Sequence, residues 1–177
     1  GSLTPIDPRT GKAGKAIPVE DPYNMYFSPD GKSAIIVAEA YKRLDFRDPQ
    51  TMALQYSIPV TDCNGVNHAD FSIDGRYAIF TCEFAGGIAK IDLVERKVLG
   101  YLKLQMPATR FKEKPAPAAK PDAAWEPGET EVCSVTRGMP QDIRSSPDGR
   151  RFYVADIHAD GVHIIDGESF SQIGFIA

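Results

Sequence analysis

The chain has 177 residues, of which 42% are hydrophobic and 25% are charged, an ordinary composition for a soluble globular protein. The net charge of -4 and the lack of a basic stripe exclude nucleic acid as an expected partner. No apolar run approaches the roughly 18–20 residues that a membrane-spanning helix needs, so we predict no membrane span.

One short motif occurs three times along the chain. It reads FSPDGKSAIIVA at 27–38, FSIDGRYAIFTC at 71–82 and SSPDGRRFYVAD at 145–156. The first two copies are 44 residues apart, and the second and third are 74 apart, so a 44-residue unit is followed by 30 extra residues before the third copy. A fixed period of this length is typical of repeat architectures.

Each unit contains four short runs that read as β-strands. Asp followed by Gly between the first two runs is a strong hairpin signal, because Gly accepts a positive φ. The second run, such as AIIVA, is rich in β-branched residues. Four antiparallel strands in roughly 40–45 residues form one blade of a β-propeller, and no stretch shows the helical apolar pattern.

In chain order, the repeat predicts about three and a half blades in an all-β fold. Residues 1–20 match the back half of a unit, so we expect the chain to begin within a preceding blade. The whole blades are residues 21–62, 63–104 and 139–177. Because a blade needs neighbours to cover both faces, we expect the rest of a longer propeller, or a second copy, to complete the ring.

The motifs SPDGK, SPDGRRFYVAD and IDPRTGKAGKAIPV resemble the YVTN-type propeller repeats of the YncE-like family. This resemblance implies a seven-bladed ring in a secreted or periplasmic protein, whose signal peptide we expect to be missing from the sequence printed here. Related propellers include lactonase-like hydrolases, the haem d1 domain of nitrite reductase and the heavy chain of quinoprotein amine dehydrogenases. Because one fold hosts many functions, the resemblance implies no particular activity.

Residues 105–138 interrupt the repeat with a segment rich in Pro, Ala and charge. This composition indicates an exposed, semi-stiff loop between two blades. One reading is a tolerated surface insertion. The other is a lid or an arm that binds a protein partner, with Phe111 and Trp125 as its anchors.

Alignment of the units selects polar residues near the start of the first strand of each blade, which lines the channel of a propeller. Tyr23, Asn67 and Gln141 share one position, and Asn24, His68 and Asp142 share the next. The loops after the second strands add Glu39, Glu83 and His158 at the same end. Arg144 interrupts the apolar pattern of its strand and is expected to meet either a channel anion or a neighbouring blade.

Histidines and cysteines at one end of the blades suggest a metal hypothesis. Imidazole and thiolate suit zinc or copper, which gives His68, His158, Cys63 and Cys82 as candidate ligands. The spacing signal is weak, because only Cys63-x4-His68 brings two of them close in sequence. Cys63 could instead form a disulfide with Cys82 or with Cys133, and the sequence does not choose between these pairings.

These features leave three functional hypotheses. The first is a non-enzymatic scaffold that binds a protein, a polymer or a small ligand at one end of the channel. The second is a propeller that carries a metal or cofactor for redox chemistry or transport. The third is a lactonase-like hydrolase, although no G-x-S-x-G elbow or Ser/His/Asp arrangement is present.

Overall fold

Three four-stranded antiparallel sheets follow one another along the chain, as the repeat predicts. The computed structural model describes residues 1–106 and 137–177, and within them every regular element is a strand. The prediction of an all-β fold with four-stranded blades is confirmed. No helix of the described residues is both long and apolar enough to cross a membrane.

Each sheet keeps its strands in chain order, so neighbouring strands are joined by short turns. A two-stranded hairpin, β1 (Ser2–Leu3) and β2 (Ile17–Pro18), precedes the three blades. The first blade consists of β3 (Asn24–Phe27), β4 (Ala34–Ala38), β5 (Arg43–Arg47) and β6 (Leu54–Pro59). The second consists of β7 (Val66–Phe71), β8 (Tyr77–Cys82), β9 (Gly87–Asp92) and β10 (Lys97–Lys103). The third consists of β11 (Pro140–Ser145), β12 (Arg151–Asp156), β13 (Gly161–Asp166) and β14 (Ser171–Ile176).

The Asp-Gly turn between the first two strands is built in the same way in every blade. In the first blade, Oδ1 of Asp30 accepts hydrogen bonds from Ser28 Oγ at 2.7 Å and from the Lys32 amide at 3.1 Å. Gly31 follows with φ of 70°, a conformation that disfavours residues with a Cβ. Asp74 and Asp148 make the equivalent bonds, so the three repeated Asp residues hold hairpins together.

The outer strands repeat a second feature, a register shift of the kind that a β-bulge produces. The shift lies between Leu54 and Tyr56 in β6, between Val98 and Gly100 in β10, and between Gln172 and Gly174 in β14. These positions are equivalent in the 44- and 74-residue alignments, so the three blades share the irregularity of their outer edge as well as their turns.

The hydrophobic core lies between adjacent blades. One cluster joins the first and second blades and contains Ile35, Phe46 and Phe80, all essentially inaccessible to solvent. A second cluster joins the second and third blades and contains Ile79, Ile143 and Phe152. Burial of such side chains contributes about 1.5–3 kcal/mol each, so the faces of adjacent blades stabilise one another.

Candidate functional site at the rim

Polar side chains of all three blades gather at the end of the sheets where the first strands begin. Because the strands are antiparallel, the start of the first strand lies beside the loop after the second strand. We call this region the rim. It consists of Tyr23, Asn24, Glu39, Asn67, His68, Glu83, Gln141, Asp142 and His158.

Two of the first strands carry a register shift at the rim itself. In β7 the shift lies between Val66 and Ala69, and in β11 it lies between Pro140 and Ile143. The residues within the shifts are Asn67 and His68 in one blade, and Gln141 and Asp142 in the next. Bulges re-aim side chains and often lie next to functional sites, so the same irregularity orients both pairs.

The first two blades meet at the rim through a hydrogen-bonded group. Asn24 Nδ2 lies 3.1 Å from His68 Nδ1, and the Tyr26 hydroxyl lies 3.3 Å from the same nitrogen. The Tyr26 hydroxyl also accepts the backbone N–H of Ala69 at 3.0 Å. His68 is therefore held by the neighbouring blade, with its Nδ1 occupied.

Two rim amides each have one buried polar atom that is unpaired among the described residues. Asn67 is inaccessible to solvent, and its Nδ2 donates to Glu83 Oε2 at 3.0 Å. Its Oδ1 and the Nε2 of Gln141 make no hydrogen bond within the described part of the chain. An unpaired buried donor or acceptor costs about 1–3 kcal/mol, so a polar ligand that reached these two atoms through a small opening of the rim would be stabilised there.

Carboxylates give the rim a negative character. Burial raises the pKa of Glu39, and the charges of Glu83 and Asp21 raise it further. Burial also raises the pKa of the Tyr23 phenol, with Glu39 and Glu83 adding to the effect. The charges of Glu39 and Glu83 thus act on Tyr23, although the three residues come from two blades.

The third blade contributes a different arrangement at the equivalent positions. Asp142 accepts a hydrogen bond from Arg144 Nη1 at 2.8 Å, within its own strand. Among the described residues, Arg144 forms its ion pair with Asp142 of its own strand rather than with a neighbouring blade, and a channel anion as its partner stays a prediction. One link between the second and third blades is Thr81, whose hydroxyl donates to the Gln141 carbonyl at 3.0 Å.

His158 lies in the loop after β12, where both its side chain and its backbone N–H form hydrogen bonds. Its Nδ1 is 3.1 Å from the Arg137 carbonyl, and its backbone N–H donates to Asp156 Oδ1. A different imidazole, that of His163, is fully buried, lies 3.3 Å from Asp156 Oδ2 and packs edge-on against Phe175.

The structure joins Cys63 and Cys82 in a disulfide, with their Cα atoms 4.8 Å apart. This resolves the choice of partner for Cys63, and it corrects the proposal of both sulfurs as metal ligands, because a disulfide supplies no thiolate. Among the described residues, no three His, Cys, Asp or Glu side chains form a group able to hold a metal ion. Phe111, Trp125 and Cys133 lie outside the described residues.

Sequence reasoning missed three residues that link adjacent blades: Tyr26, Asp70 and Thr81. Tyr26, Asp70 and Arg144 occupy equivalent positions two residues after Asn24, His68 and Asp142. The alternation of polar residues along the first strands was therefore a usable signal. Asp70 accepts both the backbone N–H and the hydroxyl of Ser145, at 2.6 and 2.9 Å, which ties the second blade to the third.

No protein-family model matches the chain, and neither does any curated protein. Solved structures do match. The chain is similar to the hydrazine synthase of Kuenenia stuttgartiensis, with a TM-score of 0.63 and 16% identity over 89% of this chain and 37% of that one. It is similar to the periplasmic gluconolactonase of Pseudomonas aeruginosa, with a TM-score of 0.66 and 17% identity over 99% of this chain and 50% of that one.

This chain therefore spans half or less of the length of each of these two structures. Both neighbours are β-propeller proteins, and identities this low bear on the fold alone. Together with the three four-stranded sheets, they establish that the chain folds as part of a β-propeller.

Proposed function

We propose that the protein is a non-enzymatic, YncE-like propeller scaffold that binds a small polar ligand at the rim. The observation that carries this proposal is the pair of unpaired buried atoms, Asn67 Oδ1 and Gln141 Nε2. They occupy equivalent positions in adjacent blades, and one is an acceptor while the other is a donor.

The chemistry of the rim suits a neutral polyhydroxylated ligand. Each hydroxyl both donates and accepts hydrogen bonds, so it can donate to Asn67 or Glu83 and accept from Gln141. Tyr23 is 50% exposed and offers an aromatic face beside these groups. An anionic ligand would be repelled by Glu39 and Glu83, whereas a sugar-like ligand would not.

Titration with D-glucose and maltose, followed by NMR of the side-chain amides, tests this proposal. We expect saturable shifts of the Asn67 and Gln141 signals, and at least tenfold weaker binding in Asn67→Ala and Gln141→Ala. Gln50→Ala, an exposed substitution in the β5–β6 turn, should bind as the parent does. An absence of saturable shifts with both sugars would refute the proposal, as would unchanged binding in both rim variants.

A second candidate is a lactonase-like hydrolase, which is favoured by the likeness to a gluconolactonase and by the rim carboxylates. In this reaction a carboxylate such as Glu39 or Glu83 would take a proton from water as the water oxygen attacks the lactone carbonyl. The ring C–O bond then breaks as its oxygen takes this proton back from the carboxyl group, which restores the carboxylate and gives a hydroxy acid as the product.

The hydrolase is tested by following acid release from glucono-δ-lactone at constant pH. Turnover above the spontaneous rate that falls at least tenfold in Glu39→Gln or Glu83→Gln would establish it. A rate equal to the buffer blank, together with sugar binding, would leave the scaffold as the function.

The metal-bearing alternative remains a prediction for His68 and His158. Because Cys63 and Cys82 form a disulfide, they supply no thiolate ligands, so zinc or copper at these imidazoles would need carboxylate or other donors. Metal analysis of the purified protein before and after chelation, repeated on His68→Ala, tests it.

We further propose an extracytoplasmic location, a seven-bladed ring and a protein partner for residues 105–138. The location is supported by the disulfide, which persists in oxidising compartments, and by the likeness to a protein described as periplasmic. Capture of a partner that is lost on deletion of residues 108–130 would support the last of these proposals.

A further inference from the structure

A cavity of about 700 Å³ lies between the first and second blades, at the end of the sheets opposite the rim. It is lined by the Asp-Gly turns of both blades and by outer-strand residues, among them Lys32, Ser33, Tyr56, Arg76 and Arg96. Since the Asp-Gly turns and the rim lie at opposite ends of the first strands, this cavity is separate from the rim. We call it the cleft.

The repeat shows why there is room in the cleft. In the interface between the second and third blades, Tyr77 stands at the position of Ser33, and the ammonium of Lys90 lies 4.1 Å from its ring centroid. Lys90 Nζ also donates to the Gly167 carbonyl at 2.7 Å. The first interface therefore has a small hydroxyl where the second has a packed phenol ring.

The cations of the cleft are arranged for an anion. Arg96 Cζ lies 4.3 Å from the Tyr56 ring centroid, and Tyr56 stacks on Phe46 with a centroid distance of 4.4 Å. A guanidinium that stacks by its face keeps its N–H groups free along its edge, where carboxylate and phosphate oxygens bind. Phe170 stands at the position of Arg96 in the third blade, so the cation is specific to this cleft.

The carboxylates of the cleft do not cancel this arrangement. Asp30 and Asp74 each accept a serine hydroxyl and a backbone amide, and these hydrogen bonds hold the pKa of both below the ordinary value. Both carboxylates therefore stay ionised, and the cleft sets three cations, Lys32, Arg76 and Arg96, against these two negative charges. Lys32 lies 3.6 Å from Asp30 and the charge of Arg76 acts on Asp74, whereas Arg96 forms no ion pair among the described residues.

We propose that the cleft is a second binding site, which takes a small organic anion with a carboxylate or phosphate group between Arg76 and Arg96. The anion would be held in line with the edge of the Arg96 guanidinium, with its remaining atoms over Tyr56 and Ser33. This site is independent of the proposed rim site, and it takes an anion where the rim takes a neutral ligand.

Calorimetric titration with citrate and, separately, with inorganic phosphate in low-salt buffer tests the proposal and distinguishes the two anion types. We expect saturable binding of at least one of them, and at least tenfold weaker binding in Arg76→Ala and in Arg96→Phe. Arg96→Phe introduces the residue that the third blade has at this position, where Phe170 adopts a similar φ of 50° beside 57° for Arg96, so the variant should fold.

Arg150→Ala is the matched control, because Arg150 follows the Asp-Gly turn of the third blade as Arg76 follows that of the second. The proposal is overturned if neither anion binds, or if Arg150→Ala weakens binding as much as Arg76→Ala. Asn67→Ala should leave anion binding unchanged, so failure at the cleft and failure at the rim are told apart.

Discussion

A single blade position shows how the same backbone accommodates very different buried residues. Asp45, Ala89 and His163 are equivalent in the three third strands, and all are essentially inaccessible to solvent. Asp45 is paired with Arg43 Nε at 2.8 Å and accepts the Ser57 hydroxyl at 2.6 Å. His163 is paired with Asp156. Each buried ionisable group thus has a partner supplied by its own blade, as burial requires.

The Asp156 carboxylate gives a pH-dependent prediction. Burial alone would raise its pKa, but hydrogen bonds from His163 and from the backbone N–H groups of Met139 and Ala159 outweigh burial and lower it. A lowered pKa stabilises the fold above the unfolded value of about 4, and this stability is lost as pH falls through the folded value.

We therefore expect Asp156→Asn to lower the free energy of unfolding by roughly 2 kcal/mol at pH 7, and to flatten its decline between about pH 5 and pH 2. Urea unfolding at a series of pH values measures both effects. Glu95→Gln, an exposed turn substitution, is the control and should follow the parent. A parallel pH dependence in Asp156→Asn and the parent would contradict the assignment.

At the scale of the element, the Asp-Gly turn makes a separate prediction. A Cβ at Gly31 would meet no atom within 4 Å, so Gly31→Ala adds only the backbone strain of its φ of 70°. We expect it to lower the unfolding free energy by about 1 kcal/mol, seen as a lower urea midpoint with an unchanged slope.

Gly100→Ala, in β10, is the matched control for Gly31→Ala. Its φ is outside the left-handed region, and its Cβ would lie 3.8 Å from Phe170, an ordinary contact. This substitution should be neutral or slightly stabilising, because it reduces the freedom of the unfolded chain. Equal losses in the two variants would show that the turn conformation is not what Gly31 supplies.

The elements were predictable because their signals are local. Asp-Gly turns and runs such as AIIVA report hairpins and strands without knowledge of distant residues. For the rim, the sequence indicated which residues would lie at that end of the sheets, but not which of their side chains would contact one another. The contact of Asn24 with His68, the role of Tyr26 and the choice of Cys82 over Cys133 depend on distances across blades, which sequence spacing does not supply.

At the scale of the whole molecule, the Cys63–Cys82 disulfide links the connection between the first two blades to β8. The linked cysteines are 19 residues apart, and closing a loop of this length stabilises a fold by about 3 kcal/mol in the chain-entropy view. In a Cys133→Ala background, we expect dithiothreitol to lower the unfolding free energy by this amount.

The same reductant should not change the stability of a variant that also carries Cys63→Ala and Cys82→Ala. If dithiothreitol left the unfolding free energy of the Cys133→Ala variant unchanged, the disulfide would not be present.

Equivalent positions of adjacent blades meet at one rim, and the proposed ligand site depends on this meeting more than on any other feature. A crystal structure of the chain measures this directly. We expect Asn24 Nδ2 within about 3.5 Å of His68 Nδ1, and the Thr81 hydroxyl within about 3.5 Å of the Gln141 carbonyl across the next interface. First strands that lie apart, with His68 and Gln141 bonded only within their own blades, would contradict this claim.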